Sequence, residues 1–440
     1  IHILNVRSCM TGIYGMARMS LHVHLKPYDM IHLGIPHTNW ANTVFKGVFM
    51  SKNYNLGFKS LTYLTACALN DKTPDMALVP DDEFFKIFEL SKLHSVTSIV
   101  SFAFNKYDDL RLTNDYKLAW DMSAVTAFKR RALFDAERQQ ICMFLEQNGI
   151  WHIPLKGVIL QDLYPHYEMR EMADNDLLID ERYREDIKKY MLNRGYSIHF
   201  AGVTNHDEYT KPPVYNFEFH TRLFQYTFSE KFAEYYNNVK TKLIKDEGSE
   251  YGFHFTNEDF YIYMMAHAYK HFKEGGTGIR SLTDVYIFNK ACGDVLDRQY
   301  LSEEFSKLGI RGFEIMCRKV SKLLFTDPGK TLDAIENLTP SQRRFLVFLS
   351  YTGAYGTDEE FVKSKFKKIT GSDKMTFANK LKYYNSRLFP GESYYKEAHP
   401  VLYKHKILRP GFLMYRAVNR LIVNRKKIIN ELKTINKKKK

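Results

Sequence analysis

The stretch MREMADNDLLID, Met169 to Asp180, sets two aspartates one residue apart at the head of an apolar run. On a β-strand, side chains at i and i+2 share a face, so Asp174 and Asp176 are expected to present two carboxylates about 7 Å apart by backbone spacing. Two anions that close repel and raise one another's pKa unless a cation neutralises them. Hard oxygen donors select Mg2+ or Mn2+ over zinc. The pair therefore predicts a divalent-metal site at the mouth of a strand.

Working outward, IWHIPLKG reads as a short strand that turns at Gly157 into the helix VILQDLYP, closed by Pro165. A glycine at such a turn lets backbone N–H groups and a helix N-terminus approach a phosphate, with Lys156 and Arg170 placed to add cationic contacts. After the apolar run, ERYREDIKKYMLNRG reads as a helix N-capped by Asp180 and closed by Gly195. YSIHFAGV and VYNFEFHTRLF follow as strands, rich in aromatic and β-branched residues. Within the second, Glu218 lies between Phe217 and Phe219. If the rings face the core, the carboxylate faces away from it and can complete a two-metal site, with His220 on the same face.

The flanks have a different period. Residues 50–148 read as an N-terminal helical region whose last helix, AVTAFKRRALFDAERQQICMFLEQNGI, stops at Asn148-Gly149. Residues 149–230 form the small α/β unit, 231–360 a helical region completing a cleft, and 361–440 a basic C-terminal region. The fold class is α+β, a small mixed sheet between helical flanks. Residues 1–49 begin with Ile, hold five of the sixteen histidines and keep neither period, so they read as an atypical N-terminal extension, either upstream read-through or a poorly ordered segment, ahead of a start at Met50.

At 45% hydrophobic and 26% charged, the composition is that of an ordinary globular protein. No window approaches the roughly 18 unbroken apolar residues of a membrane span, and no charged-then-apolar leader opens the chain. Five scattered cysteines with no CxxC pairing argue against a disulfide framework or a thiolate zinc site. The expectation is a cytoplasmic protein. The formal charge of +14 is unevenly spread: from Phe361 onward 22 Lys and Arg face 4 Asp and Glu, a net of +18, which leaves −4 for the first 360 residues. PGFLMYRAVNRLIVNRKKIINELKTINKKKK sets Leu413, Val418, Leu421, Ile422, Ile428, Ile429 and Leu432 on one helical side with Arg and Lys opposite. Such a pattern through 410–440 suits an anionic membrane surface, at the inner face of the membrane, or RNA. Its ordinary meaning is one packed and one solvated face, with Lys437–Lys440 a disordered end.

The ordered series IPLKGVILQDLYP, REMADNDLLID, NRGY and FEFHTRL resembles the LKG…LYP…R…DxDLL…GY…ExH pattern of the uncharacterised nucleotidyltransferase family, a branch of the polymerase-β-like nucleotidyltransferase superfamily. HAYKHF, GIRSLTD and LFP follow in the order of that family, so the likeness spans most of the chain after Met50. The resemblance implies that Asp174, Asp176 and Glu218 bind the metal and that Lys156-Gly157 stands for the Gly-Ser loop of the superfamily. It implies attack of an acceptor hydroxyl on the α-phosphate of a nucleoside triphosphate, with release of pyrophosphate. Two positions depart from the pattern: Asn175 replaces an apolar residue, and Val158 rather than Ser follows Gly157.

His267 and His271 stand at i and i+4, the zincin spacing, but HAYKH lacks the glutamate beside the first histidine. They are expected to face the cleft with Lys270, touching phosphate or acceptor, or else to pack between helices. Arg280 and Asp284 are also at i and i+4, where a helical ion pair is the default and a cleft role the alternative. Two rivals stand beside the enzyme: a non-catalytic nucleotide-binding or scaffold protein of the same fold, and an RNA- or membrane-binding protein acting through its basic C-terminus. The acceptor, whether small molecule, sugar, peptide, protein or RNA, is not encoded in any motif.

Overall fold

Five strands build one mixed sheet: β1 (His152–Pro154), β2 (Asn175–Ile179), β3 (Ser197–Phe200), β4 (His206–Lys211) and β5 (Tyr215–His220), in the spatial order β1-β2-β5-β4-β3. Only β2 and β5 run parallel; every other neighbouring pair is antiparallel. The computed structural model describes residues 56–105, 114–202, 204–423 and 425–436. The readings on residues 1–49, the start at Met50 and Lys437–Lys440 fall outside them.

The two faces of the sheet have different chemistry. On one, Leu177, Ile179, Tyr209, Phe217 and Phe219 pack against Phe134, Ile141 and Leu145 of the helix Asn114–Gln147 and Ile187 and Met191 of the helix Arg184–Asn193. Each such side chain stabilises the fold by roughly 1.5–3 kcal/mol on burial. On the other, Ile153 and Leu178 join the larger core, to which the helix Asn257–Glu274 contributes Phe260, Tyr261 and Tyr263. Thr256 caps that helix, its side chain accepting from the Asp259 N–H at 3.0 Å. Because Phe217 and Phe219 point into the first layer, Glu218 must point toward the second.

The structure adds elements that the sequence reading lacks. β4, HDEYTK, carries its buried positions on Asp207 and Tyr209. Asp207 tolerates burial because Arg184 Nε donates to it at 2.8 Å. Burial there alternates while polarity does not, so the period of a strand is hidden. A hairpin of β6 (Leu243–Lys245) and β7 (Phe253–Phe255) interrupts the region read as helical from about 232. The helix read from VILQDLYP is a single α-turn, Gly157–Leu160, followed by a 3-10 turn. The basic tail forms two helices, Arg409–Val423 and Arg425–Asn436. The second is fastened to the helices Asp358–Thr370 and Phe377–Leu388 by Ile435, which joins Phe366 and Tyr383 in a small core, and by the pairing of Glu431 with Arg387 at 2.7 Å.

Candidate active site

β1 ends at Pro154, and the chain turns through Lys156 into the short helix. Lys156 has φ +42°, a left-handed value that costs a non-glycine residue about 1–3 kcal/mol and persists only where its surroundings hold it. What holds it is Asp176: Lys156 Nζ lies 2.8 Å from Asp176 Oδ2, the aspartate buried and the lysine half-buried.

Asp176 is the centre of the cluster. In the parallel register it stands opposite Glu218, and Leu178 stands opposite His220. His220 Nε2 lies 3.0 Å from Asp176 Oδ1 and 3.4 Å from Glu218 Oε2, and His206 on β4 comes within 3.7 Å of the same glutamate oxygen. Donor atoms of Asp176, Glu218 and His220 all fall within 4.8 Å of one another, the one such group of three among the described residues. Asp174 sits one residue ahead of β2.

The charges act strongly on each other. Burial, then the neighbouring Asp176, pushes the Asp174 carboxyl up to about 6, with Glu218 adding and Lys156 and Arg280 opposing. Burial works the same way on Asp176, but the Lys156 ammonium and His220 overcome it and hold that carboxyl well below the usual range. Lys156 in turn is held above its ordinary value, because Asp176, Tyr263 and Asp174 outweigh the cost of burying its charge. One aspartate is thus firmly ionised and its neighbour readily protonated.

The helix Asn257–Glu274 forms the facing wall. Burial lowers the Lys270 pKa, and Glu274, followed by Glu218 and Asp176, draws it part of the way back up. His267 and His271 lie with their Nε2 atoms 3.1 Å apart, a hydrogen-bonded pair of neutral rings. Burial and the nearby cations keep His267 well below its ordinary value, and burial followed by Lys270 takes His271 down to about 3.

Arg280 and Asp284 do not pair with each other as their spacing suggests. Asp284 accepts from Arg170 through Nε at 2.8 Å and Nη2 at 3.0 Å, and from Tyr164 at 2.8 Å. The fold brings Arg170, far away in sequence, into a buried two-pronged pair, while Arg280 acts on Asp174 and stacks its guanidinium 5.4 Å from the Tyr355 ring centroid. Arg170 is therefore engaged within the protein and not held out as a phosphate contact. The same arginine explains Gly157: a Cβ there would lie 2.6 Å from Arg170 Nη1. The amides of Val158 and Ile159 donate to the Leu155 and Lys156 carbonyls, so they form the turn and not a phosphate cradle.

Asp174, Asp176, Glu218, His220, Lys156 and Lys270 are brought together as the sequence pattern suggests, and His206 and Tyr263 join them. His206 went unread with its strand. Tyr263 gave no signal, since an aromatic at helical spacing reads as core.

A family model described as an uncharacterised nucleotidyltransferase matches residues 81–326, which contain every residue of this cluster. Comparisons with curated proteins and with solved structures return no match.

Proposed function

The chain belongs to the uncharacterised nucleotidyltransferase family, and on that premise we propose that the cluster transfers a nucleoside monophosphate from a nucleoside triphosphate to an acceptor hydroxyl, with release of pyrophosphate. The observation that carries the reading is the convergence of Asp176, Glu218 and His220 donor atoms within 4.8 Å, with Asp174 in electrostatic reach of Asp176 and Glu218. Two carboxylates and one imidazole, Asp176 and His220 buried and Glu218 half-buried, suit a hard or borderline divalent cation. Asp174, Asp176 and Glu218 would hold Mg2+ or Mn2+, which when bound supplies charge neutralisation and a Lewis acid for the phosphate oxygens.

The protein's own residues do the remaining work. His220 bridges Asp176 and Glu218, fixing the direction in which both carboxylates point. The acceptor oxygen forms a bond to the α-phosphorus while the bond to the pyrophosphate oxygen breaks, and negative charge grows on the leaving group. Lys156, Lys270 and Arg280 lie within electrostatic reach of the carboxylates, and they offset that charge. Arg170, clamped by Asp284, positions the turn at Gly157.

A second reading, nucleotide binding without transfer, draws on one observation: the Lys156 ammonium already neutralises Asp176. Both readings require nucleotide and metal to bind together; only transfer yields pyrophosphate. Incubation with α-labelled nucleoside triphosphates, Mg2+ or Mn2+ and panels of hydroxyl acceptors is expected to release pyrophosphate and label one acceptor class. Metal-dependent nucleotide binding with no release across the panel supports the second reading. Release that persists in both Asp176→Asn and Glu218→Gln ends the first.

A further inference from the structure

In the helix Arg409–Val423, Met414, Tyr415 and Val418 face outward, while Phe412 and Leu413 are half-buried. The inner side of the helix carries two arginines. Arg409 donates to Glu392 at 2.7 and 2.9 Å and lies 4.1 Å from the Tyr395 ring centroid. Arg416 donates to the Arg387 and Leu388 carbonyls, both at 3.3 Å. The Phe412 ring packs tilted against His399, centroids 4.4 Å apart, on the same side. Outward stand Met414 at 74% exposure, Tyr415 at 65% and Val418 at 57%, with Ile407 at 87% in the 3-10 turn Lys406–Leu408 just ahead of the helix. A helix that only needed a solvated face would put the arginines out and these residues in. A group of exposed large apolar side chains close in sequence points to an interaction surface.

Charge selects the partner. Residues 400–440 hold 13 Lys and Arg against one Glu, a net of +12; Arg409 and Arg416 are turned inward, and Lys404 and Lys406 stand exposed beside Ile407. A second copy of the chain would set two such surfaces against each other. A nucleic acid would use the cations and leave the apolar side chains in water. A bilayer containing anionic lipids meets both, with apolar side chains at the headgroup boundary and cations at the lipid phosphates. We propose that the face from Ile407 to Val418 docks the protein on an anionic lipid bilayer. It lies on the membrane and does not cross it, since no described helix is long and apolar enough to span. The inference does not rest on the nucleotidyltransferase reading.

The test is co-sedimentation of the full chain with phosphatidylcholine vesicles, with and without phosphatidylglycerol. Binding is expected only where phosphatidylglycerol is present. It should fall by about tenfold or more in the double variant Met414→Ser, Val418→Ser, because the apolar contribution is lost. Both positions are exposed, and unchanged circular dichroism should confirm the fold. Lys404→Gln with Lys406→Gln should also weaken binding, and added salt should reduce it. The proposal is overturned if no vesicle binds, or if the Ser variant binds as well as the parent. It is also overturned if vesicles are ignored while RNA oligonucleotides bind, or if light scattering shows a dimer that the Ser substitutions dissolve.

Discussion

Asp176 on β2 and Glu218 on β5 are register partners across the sheet's parallel junction, so two carboxylates 42 positions apart in sequence share one face. Glu218→Gln is the cleaner probe of the pair, since Asp176→Asn also strips Lys156 of its buried partner, a loss of about 3–5 kcal/mol in such settings. Either substitution is expected to reduce metal-dependent pyrophosphate release by about 10²–10³-fold. Mn2+ at a hundred times its dissociation constant should stabilise the parent by about 2.7 kcal/mol. Differential scanning calorimetry should show that gain disappear in Glu218→Gln.

Asp174 makes metal binding pH-dependent. Its carboxyl titrates at about 6, above its value of about 4 in an unfolded chain. Without metal, folding therefore weakens as pH rises from about 4 to 6, where the unfolded chain releases this proton first. Metal affinity has the opposite sign, because the ligand must be ionised. Mn2+ titration by calorimetry should show affinity rising through pH 6 and levelling above it; a flat profile in the parent would reject the assignment. Asp174→Asn should flatten it.

Asn175 faces the apolar layer that receives Leu177 and Ile179. It is fully buried, and neither its amide nitrogen nor its carbonyl oxygen has a hydrogen-bond partner. An unsatisfied buried polar group costs about 1–3 kcal/mol. Asn175→Leu should raise stability in urea unfolding by an amount of that order while leaving metal affinity intact. A loss of stability would mean that the amide has a partner.

Arg170, Asp284 and Gly157 behave as one unit. Asp284→Asn should destabilise by about 3–5 kcal/mol, leaving a buried guanidinium without its counter-charge. Gly157→Ala should cost about 1–3 kcal/mol by forcing Arg170 aside. Once Asp284 no longer fixes the guanidinium, the alanine should cost less, a coupling of about 0.5–3 kcal/mol in a double-mutant cycle. Strict additivity would mean that the two contacts are independent.

Much of the site was legible because the signals are local. The alternation in NFEFHTRL dictates that Glu218 and His220 oppose Phe217 and Phe219, whatever the rest of the chain does. Spacing alone puts two aspartates at the mouth of an apolar strand, and the family resemblance rested on an ordered series of short motifs. β4 was not legible, since its buried face includes an aspartate whose partner, Arg184, is 23 positions away.

Sequence by itself settled which residue types share a strand face or a helix face, because the periods of 2 and 3.6 are properties of the backbone. Partners were another matter. The local pattern assigns Arg170 to phosphate and Arg280 to Asp284, yet in the fold Arg170 holds Asp284 and Lys156 holds Asp176. Charges pair with whatever opposite charge the packed elements bring within a few ångströms, and only the folding of distant segments onto one another decides which that is.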